Sequence, residues 1–268
     1  SSIDTITQEG PYYDLFTMPT KGEAGGMPSE NEAFYSFDYA NIHFISINSE
    51  YAPNISSDST PLINWLEKDL QQTNKDWIIA FWHQPPYTKG THNSNDLRSK
   101  MSLMRIHVNP ILEKYGCDLV ICGHSHGYER SYLLKGHFGI SNSLNPSMII
   151  DSSNGNPNDG NTYQKYTEGS KANEGTVYAV AGVGSSLGLN SPLNHPAMFM
   201  PAENNHGSMF IEVNGLTLNA KFIDTTGSIL DEFAIQKNQI ATSSQQHFDK
   251  SVKLNAYPNP FKESFTIE

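Results

Sequence analysis

The amino-acid sequence predicts a mixed α/β fold with a large β content. Two short apolar runs, "WIIAFWH" (Trp77–His83) and "CDLVICG" (Cys117–Gly123), have the length and composition of buried strands. The segment between them, from about Leu97 to Tyr115, carries apolar residues at helical spacing. A β-rich region follows over residues 208–236. A strand, a helix and a strand in this order indicate a βαβ crossover within a sheet that helices cover.

Composition and charge exclude some functions. The 268 residues include 37% hydrophobic and 17% charged residues and carry a net charge of -11, which is typical of a folded domain with a polar surface. Without a basic run, the sequence is not that of a non-specific nucleic-acid binder. It contains no run of about 18 apolar residues, so we expect no membrane span. It begins with neither a signal peptide nor an initiator methionine, so we expect a mature, trimmed or fragmentary chain.

The N-terminal region predicts a loop, a hairpin and a helix in that order. The sequence up to about Asn31 is rich in Gly, Pro and Thr. Two β-rich runs, Phe34–Tyr39 and Ile42–Asn48, then flank a short turn and predict a hairpin. Thr60 is suited to the N-cap and Pro61 to the first turn of a helix whose apolar residues recur on one face.

The crossover itself ends in residues that can form a site. Gly116 ends the predicted helix of residues 97–115, and the second strand follows at once. Functional groups in such folds collect at the carboxyl ends of the parallel strands. Cys117 and Cys122 lie five residues apart on one extended segment, too far apart to form a disulfide, so we interpret both as packing residues.

The second half of the chain predicts loops, another strand and a meander. Residues 137–175 are polar and predict long surface loops. The run "GTVYAVAGVG" (Gly175–Gly184) predicts a strand, and turn dipeptides divide residues 208–236 into three or four strands. Residues 237–253 have no periodicity and predict a linker before a short tail, residues 254–268.

Three of the ten histidines follow predicted strands. His83 ends one buried run, and His124 and His126 follow the other in "GHSH". In a tight turn, side chains two residues apart can face one cavity, and Ser125 between them crowds neither. Two such imidazoles could each bind one of two ions about 3.5–4 Å apart, as in two-metal hydrolases. For the remaining histidines apart from His92 we predict exposed or hydrogen-bonded surface positions: His43, His107, His137, His195, His206 and His247.

Two further features lie close to these histidines in sequence. His92, nine residues after His83, could reach over the site to bind a phosphoryl oxygen or to protonate a leaving group; a solvated loop position is the alternative. Glu129 and Arg130 could orient a metal ligand or could form a structural ion pair.

Taken together, "AFWHQPPYTKGTH", "NPILEKYGCDLVICGHSHGYERSY" and "GTVYAVAGVG" resemble the calcineurin-like metallophosphoesterases, specifically the purple acid phosphatase branch. The resemblance runs from about residue 23 to residue 236. It implies a four-layer α/β/β/α sandwich, of which this chain has the C-terminal portion. It further implies that His83 and His124 bind one metal ion and His126 the other, with His92 on the substrate side.

The sequence also departs from that family. The family uses Gly-Asp-x-Gly, Gly-Asp-x-x-Tyr and Gly-Asn-His-[Asp/Glu] motifs, and none of them occurs here. We therefore expect residues 1–236 to be a metallophosphoesterase domain whose N-terminal metal motifs are missing, and the isolated chain to be inactive.

For the complete protein, the resemblance implies hydrolysis of phosphate monoesters by two ions of Fe, Zn or Mn, with a small phosphorylated substrate as the partner. A phosphodiesterase or nucleotidase of the same fold is one alternative. A non-catalytic cell-surface binding module is another. A mononuclear structural zinc site is disfavoured because such sites use closed sets of Cys and His ligands, whereas both cysteines here are predicted to lie on a strand.

The C-terminal tail has a resemblance of its own. "AYPNPFKESFTIE" resembles the start of a type IX secretion sorting domain. This implies a secreted or cell-surface protein and an interaction between the tail and a secretion machinery. An incidental proline turn before a strand is the alternative.

Overall fold

Two β-sheets pack face to face, and helices cover the outer face of the larger sheet. The computed structural model describes residues 8–50, 60–184, 186–188 and 194–238. The larger sheet has seven strands in the order β1-β2-β3-β4-β9-β5-β10, and the smaller has four in the order β11-β12-β13-β8. The strands of these sheets, with the β6–β7 hairpin that forms a third, are β1 Tyr35–Tyr39, β2 Ile42–Ser46, β3 Trp77–Trp82, β4 Leu119–Cys122, β5 Tyr128–Ser131, β6 Leu133–Leu134, β7 Ile149–Asp151, β8 Tyr163–Tyr166, β9 Val177–Ala181, β10 Met198–Glu203, β11 Gly207–Asn214, β12 Thr217–Asp224 and β13 Ile229–Asn238.

The helices are α1 (Pro11–Leu15), α2 (Pro61–Gln72), α3 (Lys100–Leu103) and α4 (Asn109–Lys114). As predicted, α2 begins after Thr60, whose side chain accepts a hydrogen bond from the amide of Ile63, and Pro61 occupies its first turn.

The predicted continuous helix from about residue 97 to 115 is wrong in two respects. It begins at Lys100, and Met104–Val108 between α3 and α4 form a π-helical turn. Pro110 explains the irregularity, because its nitrogen cannot donate the helical hydrogen bond to the residue four positions earlier. The turn also directs the Arg105 side chain into the protein interior, where it is 1% exposed.

The predicted α/β sandwich is confirmed. The described residues supply a helical layer, the seven-stranded sheet and the four-stranded sheet. One apolar core lies between the helices and the larger sheet and includes Leu66, Val108 and Val120. A second lies between the two sheets and includes Trp77 and Phe233. Both cysteines are free and buried, as predicted.

The βαβ crossover is also present. Strands β2, β3, β4 and β9 are parallel neighbours, so their carboxyl ends share one edge of the larger sheet. Trp82 pairs with Cys122, which brings the residues that follow these two strands side by side. This edge carries the predicted site.

Residues 137–175 are not simply surface loops. They contain strands β7 and β8, and the side chains of His137 and Lys165 within them are buried. Lys165 contacts both Asp118 Oδ1, at 2.7 Å, and the carbonyl of Cys117, so β8 is tied by charge to the larger sheet. The polar composition of residues 137–175 does not reveal this contact, because a lysine is buried only when a partner elsewhere in the chain offsets its charge.

None of the helices in the described residues is long and apolar enough to cross a membrane. The predicted linker, residues 237–253, overlaps the described residues only at 237 and 238, which end β13. The predicted sorting domain, residues 254–268, lies outside them.

Candidate metal and phosphate site

The site begins where strands β3 and β4 end. His83 follows Trp82, and Gly123 follows Cys122. The amide of Gly123 donates to the carbonyl of His83 at 3.1 Å, so the parallel ladder continues one step past both strands. The sheet therefore places His83 directly beside the start of the Gly-His-Ser-His loop.

His83 and His124 face each other with ring nitrogens in contact. Nε2 of His83 lies 3.0 Å from Nδ1 of His124, and the ring planes are inclined at 75°. Two imidazole nitrogens that bind one ion at about 2.1 Å and a right angle are separated by about 3.0 Å. The pair thus has a spacing that suits one shared ion.

The loop that carries His124 has a strained backbone. His124 has a φ of 64°, in the left-handed region that residues other than glycine rarely adopt. The amides of Ser125 and Gly127 each donate to the carbonyl two residues earlier, at 2.7 and 2.8 Å. Gly182, after strand β9, packs on this loop so closely that a Cβ there would lie 2.0 Å from the carbonyl oxygen of Ser125.

His126 has one ring nitrogen engaged and its backbone fixed. Ser186 Oγ lies 2.8 Å from Nδ1 of His126, which leaves Nε2 as the other candidate for a metal. The amide of His126 donates to Thr91 Oγ1 at 2.9 Å. Hydrogen bonds of this kind to the second ring nitrogen orient ligand histidines in metal sites.

His92 covers the His83–His124 pair. Its ring stacks on that of His124, with the ring centres 3.9 Å apart and the planes inclined at 26°. Burial, together with His126 and His83 nearby, lowers the pKa of His92. The same causes, burial first and then the neighbouring His92 and His83, lower the pKa of His124 to about 4. At neutral pH both rings are therefore neutral, and neutral imidazole is the form that binds metals.

A carboxylate at this edge escaped the sequence analysis. Glu50 follows strand β2, accepts a hydrogen bond from Gln84 Nε2 at 2.9 Å and pairs with Lys100. Its negative charge acts to raise the pKa of His124. The sequence signal that identifies Glu50 is its position after β2, which is parallel to the strands that precede His83 and His124.

The structure brings His124 into direct contact with both His83 and His92, and His126 lies near enough to contribute to the lowered pKa values of His92 and His124. In the part of the chain that the structure describes, no three His, Cys, Asp or Glu side chains already converge on one ion position. The metal-ligand roles of His83, His124 and His126 and the substrate role of His92 stay predictions.

Three of the histidines predicted to lie at the surface are buried instead. His43 is 1% exposed, His137 is fully buried and His195 is 2% exposed. His43 binds two aspartates, whereas the rings of His137 and His195 pack around Tyr87. Burial lowers the pKa of His137 to about 4 and that of His195 to about 3. These contacts come from distant segments, which local sequence does not reveal.

The remaining surface predictions have different outcomes. Nδ1 of His206 contacts the carbonyl of Val183 at 2.8 Å, in keeping with a hydrogen-bonded position. His247 lies outside the described residues. Of Glu129 and Arg130, the two candidates for orienting a metal ligand or pairing with a charge, Arg130 forms a structural ion pair, with its Nε 2.5 Å from Asp231 Oδ2.

Comparison with known proteins gives a consistent picture. Residues 10–128, which include all four site histidines, match the family model of the calcineurin-like phosphoesterases. Purple acid phosphatase 15 of Arabidopsis thaliana is 32% identical over 123 residues, covering 45% of this chain and 21% of that protein. Acid phosphatase type 7 of Homo sapiens is 28% identical over 148 residues, covering 48% of this chain and 33% of that protein.

A purple acid phosphatase from yellow lupin seeds, PPD1, has a similar fold. It superposes with a TM-score of 0.60 at 18% identity, over 84% of this chain and 35% of the lupin chain. The matched regions thus span about a third or less of each of these three proteins.

Proposed function

We propose that this chain is part of a purple acid phosphatase-like metallophosphoesterase that hydrolyses phosphate monoesters. The observation that carries the proposal is the contact of His83 Nε2 with His124 Nδ1 at 3.0 Å, at the carboxyl edge of a parallel sheet. His92 stacks on that pair, His126 follows it in the same loop, and the match to the calcineurin-like phosphoesterase family model, residues 10–128, includes all four histidines.

The donor set fits a pair of metal ions in part. His83 and His124 would hold one ion and His126 the other, with Fe, Zn or Mn as the candidates, since imidazole suits these metals. Bound there, two such ions would supply Lewis-acid stabilisation of the phosphoryl oxygens and would activate a water molecule as the nucleophile near neutral pH.

The protein's own residues orient these ligands and contact the substrate. Ser186 fixes the ring of His126, and the ladder contact between Gly123 and His83 fixes the two loops relative to each other. His92 has a lowered pKa and is neutral near pH 7, so there it donates an N–H hydrogen bond to a phosphoryl oxygen. In acid solution it is an imidazolium that can protonate the departing alcohol.

Three neutral imidazoles bring no negative charge to balance two cations, and oxygen ligands that bridge the ions are also required. We propose that carboxylates outside residues 1–268 complete the site in a longer polypeptide. On this proposal residues 1–268 alone bind at most one ion weakly and hydrolyse an aryl phosphate no faster than metal-containing buffer. Full activity of the isolated chain would overturn it.

The decisive experiment uses the full-length gene product loaded with Fe, Zn or Mn. We expect it to hydrolyse p-nitrophenyl phosphate in preference to bis(p-nitrophenyl) phosphate; the reverse preference would favour a phosphodiesterase. His124→Ala should abolish both activity and the binding of one ion, whereas the control His206→Ala should retain both. A full-length protein that hydrolyses neither compound would instead be a binding module that has kept the fold.

Export is a separate proposal. We propose that the tail from Tyr257 to Pro260 and beyond directs secretion, on the sequence resemblance alone. A reporter fused to the complete tail should leave the cell, and a matched fusion with Pro258 and Pro260 changed to Ala should leave it less. Retention of the first fusion in the cytoplasm would contradict the proposal.

A further inference from the structure

Glu129 is a buried carboxylate beside the site. It lies on strand β5, three residues after His126, and is 1% exposed. Burial raises its pKa. The ion pairs of the described residues do not include it, so it has no cation to offset the cost of burying its charge.

Its hydrogen-bond partners all belong to one neighbouring segment or to the histidine loop. Thr88 Oγ1 donates to Oε1, and the amide of Lys89 donates to Oε2 at 3.2 Å. The hydroxyl of Ser125 also lowers its pKa. An unsatisfied buried carboxylate is costly, so the conformation of residues 88–91 and the burial of Glu129 depend on each other.

The same segment is fastened to the histidine loop. The amide of Thr91 donates to Ser125 Oγ at 3.0 Å, and the amide of His126 donates to Thr91 Oγ1 at 2.9 Å. The residue that follows is His92, whose ring stacks on His124. Glu129, residues 88–91 and Ser125 thus form one hydrogen-bonded cluster, the bracket, which leads directly into His92 and is bonded to the amide of His126.

Glu129 itself cannot contact a substrate, because its oxygens are occupied and its side chain is shielded from solvent. We propose that Glu129 is a positioning residue, which holds His92 over His124 through the hydrogen bonds of residues 88–91. The kinetic consequences of this inference rest on the proposed phosphatase function. The structural role of Glu129 in holding His92 does not depend on it.

The first test measures amide hydrogen exchange in the metal-free full-length protein, and so does not require activity. The amides of Lys89, Thr91 and His126 donate only to side chains of the bracket. Glu129→Met keeps the volume but removes both acceptors, and should raise exchange at Lys89 and Thr91 about tenfold or more. Glu129→Gln should leave it nearly unchanged, because its amide oxygen can accept from Lys89 while the Thr88 hydroxyl rotates to accept from its NH₂ group. Unchanged exchange in Glu129→Met would overturn the proposal.

The second test is kinetic and uses the metal-loaded protein. A displaced His92 should lower kcat for p-nitrophenyl phosphate by about tenfold to a hundredfold in Glu129→Met and in Thr88→Val, with Thr88→Ser and Glu129→Gln close to wild type. In a His92→Ala background, Glu129→Met should have less than about a twofold further effect, because its action passes through His92. Additive losses, or a loss in Glu129→Gln as large as in Glu129→Met, would refute the positioning role.

A matched control separates positioning from stability. Tyr163→Phe removes the buried hydroxyl that accepts a hydrogen bond from Arg130 Nη1. Tyr163 contacts none of the bracket residues in the hydrogen bonds given above, so this variant should lower the melting temperature without lowering kcat. A wild-type protein without phosphatase activity would refute the proposed function alone, since the exchange experiment would still decide the structural role of Glu129.

Discussion

The imidazole of His43 offers a quantitative test of the buried electrostatics. Its Nδ1 lies 2.8 Å from Asp38 Oδ1 and its Nε2 lies 2.9 Å from Asp69 Oδ2, with side-chain exposures of 1% for His43, 27% for Asp38 and 0% for Asp69. Asp69 Oδ1 also accepts from Ser36 Oγ at 2.8 Å and from the amide of Met27 at 2.7 Å. The cluster of His43, Asp38 and Asp69 thus connects β1, β2, α2 and the segment that precedes β1.

Two opposing effects act on the pKa of His43. Burial disfavours the charged ring, but the hydrogen bonds and charges of Asp69 and Asp38 outweigh it and raise the pKa. A raised folded-state pKa means that the stabilisation is fully present below the unfolded value of about 6.5 and is lost as pH rises through the folded value. The loss is about 1.4 kcal/mol for each unit by which the two values differ.

His43→Gln removes the cation and leaves Asp69 buried without a counter-charge, which should cost about 3–5 kcal/mol at pH 6. Urea unfolding at pH 6 and pH 9 measures this, and the wild-type advantage over the variant should shrink at pH 9. Asp38→Asn should cost less than His43→Gln, because solvent screens the partly exposed Asp38. A wild-type advantage that is equal at the two pH values would refute the charged-imidazole interpretation.

Three further outcomes follow from the structure. In the metal-loaded full-length protein, His92→Ala should lower kcat on an aryl phosphate by about 10²–10⁴ and flatten the acid side of the pH–rate profile; a change in KM alone would contradict this. Cys117 and Cys122 should react with a thiol reagent only after unfolding, because both are buried and burial raises the pKa of Cys117 to about 12 and that of Cys122 well above its usual value; rapid labelling of the native protein would contradict their placement. Asp231→Ala should lower the free energy of unfolding by about 3–5 kcal/mol in a denaturant titration, because it leaves the buried Arg130 guanidinium unpaired, and a loss below about 1 kcal/mol would show that the pair is solvated.

Local sequence was sufficient for the parts of the fold that local interactions determine. The Thr60 cap and the two apolar runs around the crossover follow from hydrogen bonding and side-chain periodicity within a few residues. The placement of His83 and His124 at one edge follows from the parallel connection alone, and the structure adds their 3.0 Å contact.

Other features depend on partners that are far away in sequence. Glu129 binds Thr88, which lies 41 positions earlier, and His43 binds Asp69, which lies 26 positions later. The polar composition of residues 137–175 predicts loops and misses strand β8, because the buried Lys165 of that strand needs Asp118, just before strand β4, to offset its charge. For each of these polar residues, local sequence predicts a surface position, and only the partner that lies far away in the chain explains its burial.

The distribution of strain and stability along strand β4 connects the fold to the site. Before the strand, Asp118 pairs with Lys165 at 2.7 Å and with Lys237 at 2.8 Å, so the amino end of β4 is fixed by a buried charge network. After the strand, His124 has a left-handed backbone, and burial together with the neighbouring His92 and His83 lowers the pKa of its ring to about 4. Strain of this kind persists only where the surroundings hold it in place. Here the packing of Gly182 and the ladder contact to His83 hold the backbone of the loop, while burial keeps the His124 ring in the neutral form that metals bind.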